Sequence, residues 1–297
     1  MSAVVGAVLP QFVRDLLSSP PTRGGGLNNW FYRVARVLHP YRPTSEIVRL
    51  LQAATAGERV GHGEIEHAVE RSRATAWHPG QPHDVAIASP WPKVNEERRA
   101  AVIASVGYGL VDLWETSPVR LERNEPRTFA IIGALFPPDA LLCAGKSSSE
   151  FATRPWKEFG KRLNEFQLIV PSPMTARTGR TQDGRLSEHT LENTGPRRFL
   201  VVEFDSGSVD DHAALLLHLA TRAPLALAVH SGGKSIHGWF YCAREPETRL
   251  RAFMRAAVAL CADRATWTRS QFVRMPDGLR DNGKRQTVFF FNPEVVR

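Results

Sequence analysis

The sequence contains few cysteines, and their spacing does not suit a metal site. Its three cysteines, Cys143, Cys242 and Cys261, lie far apart and show no CxxC or Cys/His spacing of the kind that a structural zinc site needs. We therefore expect reduced, mostly buried thiols. No apolar run approaches the length of a membrane span, so we expect no membrane partner.

The first residues lack the features of a secretory leader. The apolar stretch 2–9 has no basic residue before it and runs directly into Pro10, Arg14 and Asp15. A signal peptide instead begins with a basic segment and ends at a small-residue cleavage site. With the reduced thiols, this pattern predicts a cytoplasmic protein.

Two Gly-Lys-Ser triplets resemble the end of a phosphate-binding P-loop, but each lacks a glycine that the loop requires. The position five residues before the Gly-Lys pair is Ala140 in one case and Ala228 in the other. The second triplet also precedes a predicted strand, whereas a P-loop leads into a helix whose N-terminus meets the phosphate. These differences argue against a P-loop ATPase.

The net charge and the length of the chain indicate the kind of partner and the number of domains. The formal net charge of +8 and the pI of about 9.9 favour an anionic partner, and 42% hydrophobic residues are ordinary for a chain that buries a core. A chain of 297 residues has room for one large domain or two smaller ones.

The hydrophobic pattern changes along the chain and predicts an α+β protein. Short amphipathic helices, among them one at 30–38 and one beginning near Thr44, predict a helical accessory module in residues 1–80. Residues 81–124 are interpreted as a proline-rich linker and a connecting helix, and residues 125–297 as the catalytic domain. Strand-length apolar runs in the last part are 167–170, 199–204, 225–229, 238–242 and 287–291.

The strand 199–205 ends in two acidic residues. Glu203 and Asp205 are two positions apart, so they lie on the same face of an extended strand, while Phe204 points the other way. Two carboxylates on one face favour a bound cation. A strand end that runs into a solvated turn would also account for them.

A strand, a glycine-rich turn and a second strand follow at 225–242, and a hairpin is the simplest structure for this segment. The turn can bring backbone N–H groups and Lys234 against phosphate oxygens, with His237 at the start of the returning strand. The nucleotide-binding residues predicted here and downstream are Ser231, Gly232, Gly233, Lys234, Ser235, His237 and Arg274.

Two later aspartates compete for a third acidic role. Asp263 follows the apolar run 253–260, and Asp277 lies in a Pro-Asp-Gly turn just after Arg274. An aspartate in such a turn needs no functional explanation. We favour Asp263, and Asp277 remains the alternative.

These elements, in this order, resemble the three motifs of the archaeo-eukaryotic primase superfamily. The segment 230–239 and the Arg-Met-Pro turn at 274–276 are similar to primase-polymerases of phages, plasmids and mobile elements. The likeness covers about the last third of the chain. It implies a catalytic domain with an RRM-like antiparallel sheet, preceded here by the small helical bundle. The bundle has a vaguer likeness to the helical modules of such proteins, which implies a DNA-binding role for it.

The resemblance also implies chemistry. Glu203, Asp205 and Asp263 would be catalytic and would bind two divalent metals, Mg²⁺ or Mn²⁺, and His237 would contact the incoming nucleotide's phosphates. The implied function is template-directed nucleotidyl transfer, as a DNA primase or DNA polymerase, acting on nucleoside triphosphates and a single-stranded DNA template. The chain contains no helicase motif, so a separate replicative helicase would unwind the DNA. Glu203 departs from the family, which most often has aspartate at that position.

Two other functions are alternatives to nucleotidyl transfer. A catalytically inactive primase-like protein could keep the fold and bind nucleic acid only. A replication-initiator endonuclease needs two histidines around one apolar residue, and the spacing of His230 and His237 does not match.

Overall fold

The computed structural model describes residues 8–18, 20–21, 26–58, 60–78, 91–121, 127–181 and 184–296. The chain divides into two compact units, residues 1–90 and 91–297. Residues 81–90, which form most of the predicted proline-rich linker, lie outside the described residues.

The first unit is helical where it is described. Apolar residues recur every three or four positions on the second helix, and Phe31, Val34 and Leu38 are buried with Ile47 and Leu51 of the next. The helices are α1 (Gln11–Ser18), α2 (Leu27–Leu38), α3 (Thr44–Ala54) and α4 (Glu64–Ser72), the last continuing as a 3₁₀ turn over Arg73–Thr75. This unit has an apolar core of its own.

The second unit begins with two helices where the sequence predicted one. Gly107, with φ of 65°, ends the first of them by donating its N–H to Ile103. Val102 and Leu113 belong to a core shared with the later helices, so this stretch is part of the second unit and not only a connector. The helices are α5 (Glu96–Val106), α6 (Leu110–Glu115), α7 (Thr128–Leu135), α8 (Trp156–Phe159), α9 (Val209–Ala220) and α10 (Glu247–Ala259).

Antiparallel strands form the rest of the second unit. They are β1 (Leu141–Gly145), β2 (Phe151–Pro155), β3 (Leu168–Ile169), β4 (Gly179–Arg180), β5 (Leu186–Ser187), β6 (Phe199–Glu203), β7 (Leu225–His230), β8 (Ile236–Tyr241), β9 (Val273–Arg274) and β10 (Val288–Phe291). One sheet has the order β2-β1-β3-β9 and another has β10-β7-β8-β6, while β4 pairs with β5. Helices beside antiparallel sheets confirm the α+β class.

Strand β6 is buried on both faces, which explains its continuous apolar sequence. Val202 and Phe204 pack in a core with α9 and α10, whereas Phe199 and Val201 face a second core that includes β3 and β9. Gly238 on β8 is needed for close packing, because a Cβ there would lie 2.4 Å from Leu216 of α9. Glu203 therefore terminates a strand that the two cores hold firmly.

None of the helices in the described ranges is long and apolar enough to cross a membrane.

Candidate active site

Glu203 and His237 are direct cross-strand neighbours on β6 and β8. His237 Nε2 lies 3.2 Å from Glu203 Oε1, and Ser235 Oγ donates a hydrogen bond to the same oxygen at 3.2 Å. His237 is 3% exposed and the Glu203 side chain 21% exposed. Neither ring nitrogen of His237 has a well-aligned hydrogen bond within the described structure, so the contact with Glu203 is a close approach of a ring nitrogen and a carboxylate oxygen.

The surroundings of Glu203 favour its ionised form. Burial acts to raise its pKa, but His237, Ser235 and the charge of Arg274 outweigh this effect and hold the pKa of Glu203 below its ordinary value. A carboxylate is therefore present at neutral pH at the end of β6.

Asp263 is held beside Glu203 by backbone contacts. Its N–H donates to the Glu203 carbonyl at 2.8 Å, and the preceding residue, Ala262, forms a bridge with Phe204. Burial and the negative charges of Glu203 and Asp205 raise the pKa of Asp263. The Asp263 carboxylate also accepts a hydrogen bond from the N–H of Ala265 at 2.9 Å, which caps the 3₁₀ helix Arg264–Trp267. Glu203 and Asp205 thus lie close enough to Asp263 to repel its carboxylate.

Asp277 has a different environment. Its Oδ2 accepts a hydrogen bond from the N–H of Arg127 at 2.6 Å, and its Oδ1 lies 3.7 Å from Nε of Arg285. Asp277 itself has φ of 58°, a conformation that Asp tolerates in turns. Its carboxylate anchors the turn to the start of α7, whereas it is Asp263 that contacts Glu203.

The donor atoms suit a divalent metal, although the side chains do not form a finished site. Mg²⁺ and Mn²⁺ prefer oxygen ligands, which Glu203, Asp205 and Asp263 can provide. Within the described ranges, however, no group of three or more His, Cys, Asp or Glu side chains is arranged to hold a metal ion. Glu203 Oε1 faces His237 and Asp263 Oδ1 caps a helix, so one oxygen of each carboxylate already has a partner.

The glycine-rich turn uses its own N–H groups. Those of Gly233 and Ser235 donate to Ser231 Oγ at 3.3 and 3.2 Å, and that of Gly232 donates to His230 Nδ1 at 3.3 Å. The sequence predicted that backbone N–H groups here would face phosphate oxygens. In this structure these three bond within the turn. Lys234 is exposed beside them.

Arg280 lies at the glycine-rich turn, although the sequence did not predict it as a site residue. Its Nη1 donates to the carbonyl of Ser231 at 3.4 Å, and its side chain is so close to the turn that a Cβ on Gly232 would lie 3.2 Å from Arg280 Cδ. Burial lowers the pKa of Arg274, and the positive charge of Arg280 lowers it further, against the opposing effect of Glu203. The basic residues Arg280, Lys284 and Arg285, which follow the Pro-Asp-Gly turn, are the sequence feature that could have indicated Arg280.

Two more histidines lie near this edge. His212 of α9 is fully buried, stacks on Phe204 with ring centroids 5.8 Å apart, and has Nε2 2.9 Å from the carbonyl of Ser206. Burial lowers the pKa of both His212 and His230, and for His230 the charges of His212 and His237 add to this effect. His212 therefore packs against the end of the acidic strand, whereas His230 accepts a hydrogen bond from Gly232 of the turn.

Comparison of the chain with models of protein families, with curated proteins and with solved structures gave no match.

Proposed function

We propose that the protein is a nucleotidyltransferase of the primase-polymerase type, which joins nucleotides on a single-stranded DNA template. This proposal rests on the observation that four residues distant in sequence lie together in the structure. Glu203 on β6, His237 on β8, Asp263 after α10 and Arg274 on β9 come from distant parts of the sequence and interact at one edge. The resemblance implies roles for Glu203 and His237, and the sequence favoured Asp263 over Asp277 and predicted Arg274 as a nucleotide-binding residue.

The side chains divide into an acidic and a basic group. Arg274, Lys234 and His237 would bind the triphosphate of the incoming nucleotide through charge-assisted contacts. Glu203, Asp205 and Asp263 would hold divalent cations, which, when bound, activate the attacking hydroxyl and offset charge on the phosphates. Ser235 and His237 keep Glu203 ionised before nucleotide arrives. The proposed setting, from the resemblance, is replication of a phage-like or mobile element alongside a separate helicase.

A catalytically inactive nucleic-acid-binding protein is the second candidate. The observation that favours it is the engagement of Glu203 Oε1 by His237 and Ser235, which leaves the three acids without a common centre. Such a protein would bind DNA and nucleotide without joining them.

Incorporation of labelled nucleotide separates these functions. The purified chain would be incubated with single-stranded template, with and without a primer, and with Mn²⁺ or Mg²⁺. We expect incorporation in the wild type and none in Asp263→Asn, whereas Asp277→Asn, a matched change outside the acidic edge, should retain it. Absence of incorporation by a folded wild-type protein that binds nucleotide and DNA would favour the inactive function.

A further inference from the structure

The glycine-rich turn has fewer backbone N–H donors available to an anion than its sequence suggests. Three of its N–H groups are already bonded to Ser231 Oγ and His230 Nδ1. A buried donor that already has a partner gains little by exchanging it for a phosphate oxygen. A strong anion contact at this turn therefore depends more on side chains than on these three N–H groups.

Arg280 provides such a side chain. Its guanidinium lies over the turn, where a Cβ on Gly233 would be 3.3 Å from Nη1, and its Nε is buried without a hydrogen-bond partner in the described structure. A buried guanidinium nitrogen left unbonded is costly. A ligand oxygen would satisfy it.

The backbone holds Arg280 in this position. Its N–H donates to the carbonyl of Lys284 at 2.9 Å, its carbonyl accepts from Gly283 at 2.9 Å, and Leu279 pairs with Arg285 across the same hairpin. The N–H of Leu279 donates to the carbonyl of Asn164 at 2.8 Å, which ties the hairpin to the 3₁₀ helix Gly160–Glu165. Because the backbone of Arg280 is already held, binding of an anion costs little additional conformational entropy.

Arg274 adds a second guanidinium nearby. The charges that act on Arg274 are those of Arg280, Glu203 and Asp281, and Glu203 is also in contact with His237 and Ser235. Two neighbouring guanidinium groups repel each other, and an anion bound between them would offset that repulsion. Their planar donors match phosphate oxygens.

We infer that Arg280 and Arg274 together form a binding site for a polyphosphate chain over the glycine-rich turn, with Arg280 as a phosphate-binding residue. The identity of that chain as the triphosphate of a nucleotide rests on the proposed function. The anion site itself does not.

The test measures binding without metal or catalysis. Isothermal titration of metal-free protein with inorganic tripolyphosphate compares the wild type with Arg280→Met, which keeps the aliphatic stem against Gly232 and removes the charged donors. Lys284→Met is the matched control, because it removes an exposed charge from the same hairpin. We expect Arg280→Met to weaken binding about ten- to a hundredfold and Lys284→Met to weaken it less than about twofold. Arg280→Lys should fall between, since it keeps the charge and loses the fork.

Several results would overturn the inference. They are no tripolyphosphate binding by the wild type, unchanged binding by Arg280→Met, or equal weakening by Lys284→Met, which would show a general charge effect. A further arm uses a thymidine oligonucleotide. If Arg280→Met weakens the oligonucleotide and spares tripolyphosphate, the site binds nucleic-acid backbone instead. Wild-type protein that binds tripolyphosphate through Arg280 but incorporates no nucleotide would remove the proposed function and keep the anion site.

Discussion

Glu203 and His237 face each other across β6 and β8, with a carboxylate oxygen and a ring nitrogen 3.2 Å apart. His237 is almost fully buried, and Glu203 lies where the β6 backbone meets Asp263. This pair joins the acidic edge to the hairpin that carries the glycine-rich turn. A change at either residue should therefore affect both stability and any ligand at the edge.

Replacement of His237 tests the electrostatic part of this pair. His237→Phe keeps a buried ring but removes the contact that opposes the effect of burial on the Glu203 pKa. A lowered carboxyl pKa stabilises the folded state above the unfolded pKa, and that stability is lost as pH falls through the folded value. We expect His237→Phe to lower the free energy of unfolding by about 1–3 kcal/mol at pH 7, with the difference shrinking below about pH 4.

Urea unfolding at a series of pH values measures this effect. Tyr241→Phe is the control, because it alters an aromatic ring on the same strand at the far end from Glu203. Its effect should not vary over the acidic range. An equal loss at every pH in His237→Phe would assign the contact to packing alone.

Glu203, Asp205 and Asp263 form the acidic edge, and removing one of its charges should have opposite effects on activity and on stability. Asp205→Asn and Asp263→Asn each remove one charge while keeping the side-chain shape, so metal-dependent nucleotide incorporation should fall below detection. Asp277→Asn should retain incorporation, because that carboxylate contacts Arg127 and Arg285 instead. The reverse ranking of Asp263 and Asp277 would move the third acid into the turn.

The metal-free stability of Asp263→Asn should depend on pH. Burial and the neighbouring acids raise the folded pKa of Asp263, so its ionised form costs the folded state stability above the unfolded pKa. Asparagine keeps the oxygen that accepts from Ala265 and has no charge to lose. The melting temperature should therefore rise by a few degrees at pH 7, and the gain should vanish below about pH 4. A gain of equal size at acidic pH would contradict this explanation.

Arg274 should act mainly on nucleotide affinity. Arg274→Ala removes a half-buried guanidinium near Glu203 and should raise KM for nucleotide about tenfold or more, with a smaller change in kcat. Arg249→Ala is the control, since Arg249 is exposed on α10 and pairs only with Glu245 in the described contacts. Steady-state kinetics of a well-folded Arg274→Ala protein that match those of Arg249→Ala would exclude Arg274 from the site.

The second unit should fold without the first, because each has a core of its own. A fragment that begins at Trp91 should unfold cooperatively and bind nucleotide, and it should bind single-stranded DNA more weakly than the full chain. A fragment that begins at Glu96 should be less stable, since it loses the ring contact of Trp91 with Trp267 and the bond from Asn95 to Ala259. Thermal melts compare the two fragments. Insolubility of both would show that the units depend on each other.

Local patterns in the sequence predicted much of the fold. The apolar runs at β6, β7, β8 and β10 identified those strands because they are buried, and the helical periodicity near α2 and α3 identified helices in the first unit. Strands β1 and β2 were not predicted. Strand β1 ends at the glycine of a Gly-Lys-Ser sequence, and β2 contains an arginine and a proline and has little apolar pattern.

Sequence alone determined the residues of the acidic strand end, the hairpin turn and the turn-like character of Asp277, because each depends on neighbours along the chain. Tertiary structure decided which of these residues meet. Asp263 reaches Glu203 through a backbone bond across 60 positions, and Arg280 reaches the Ser231 carbonyl across 49. Such contacts depend on how helices and strands pack, and local periodicity carries no information about packing partners so far apart in sequence.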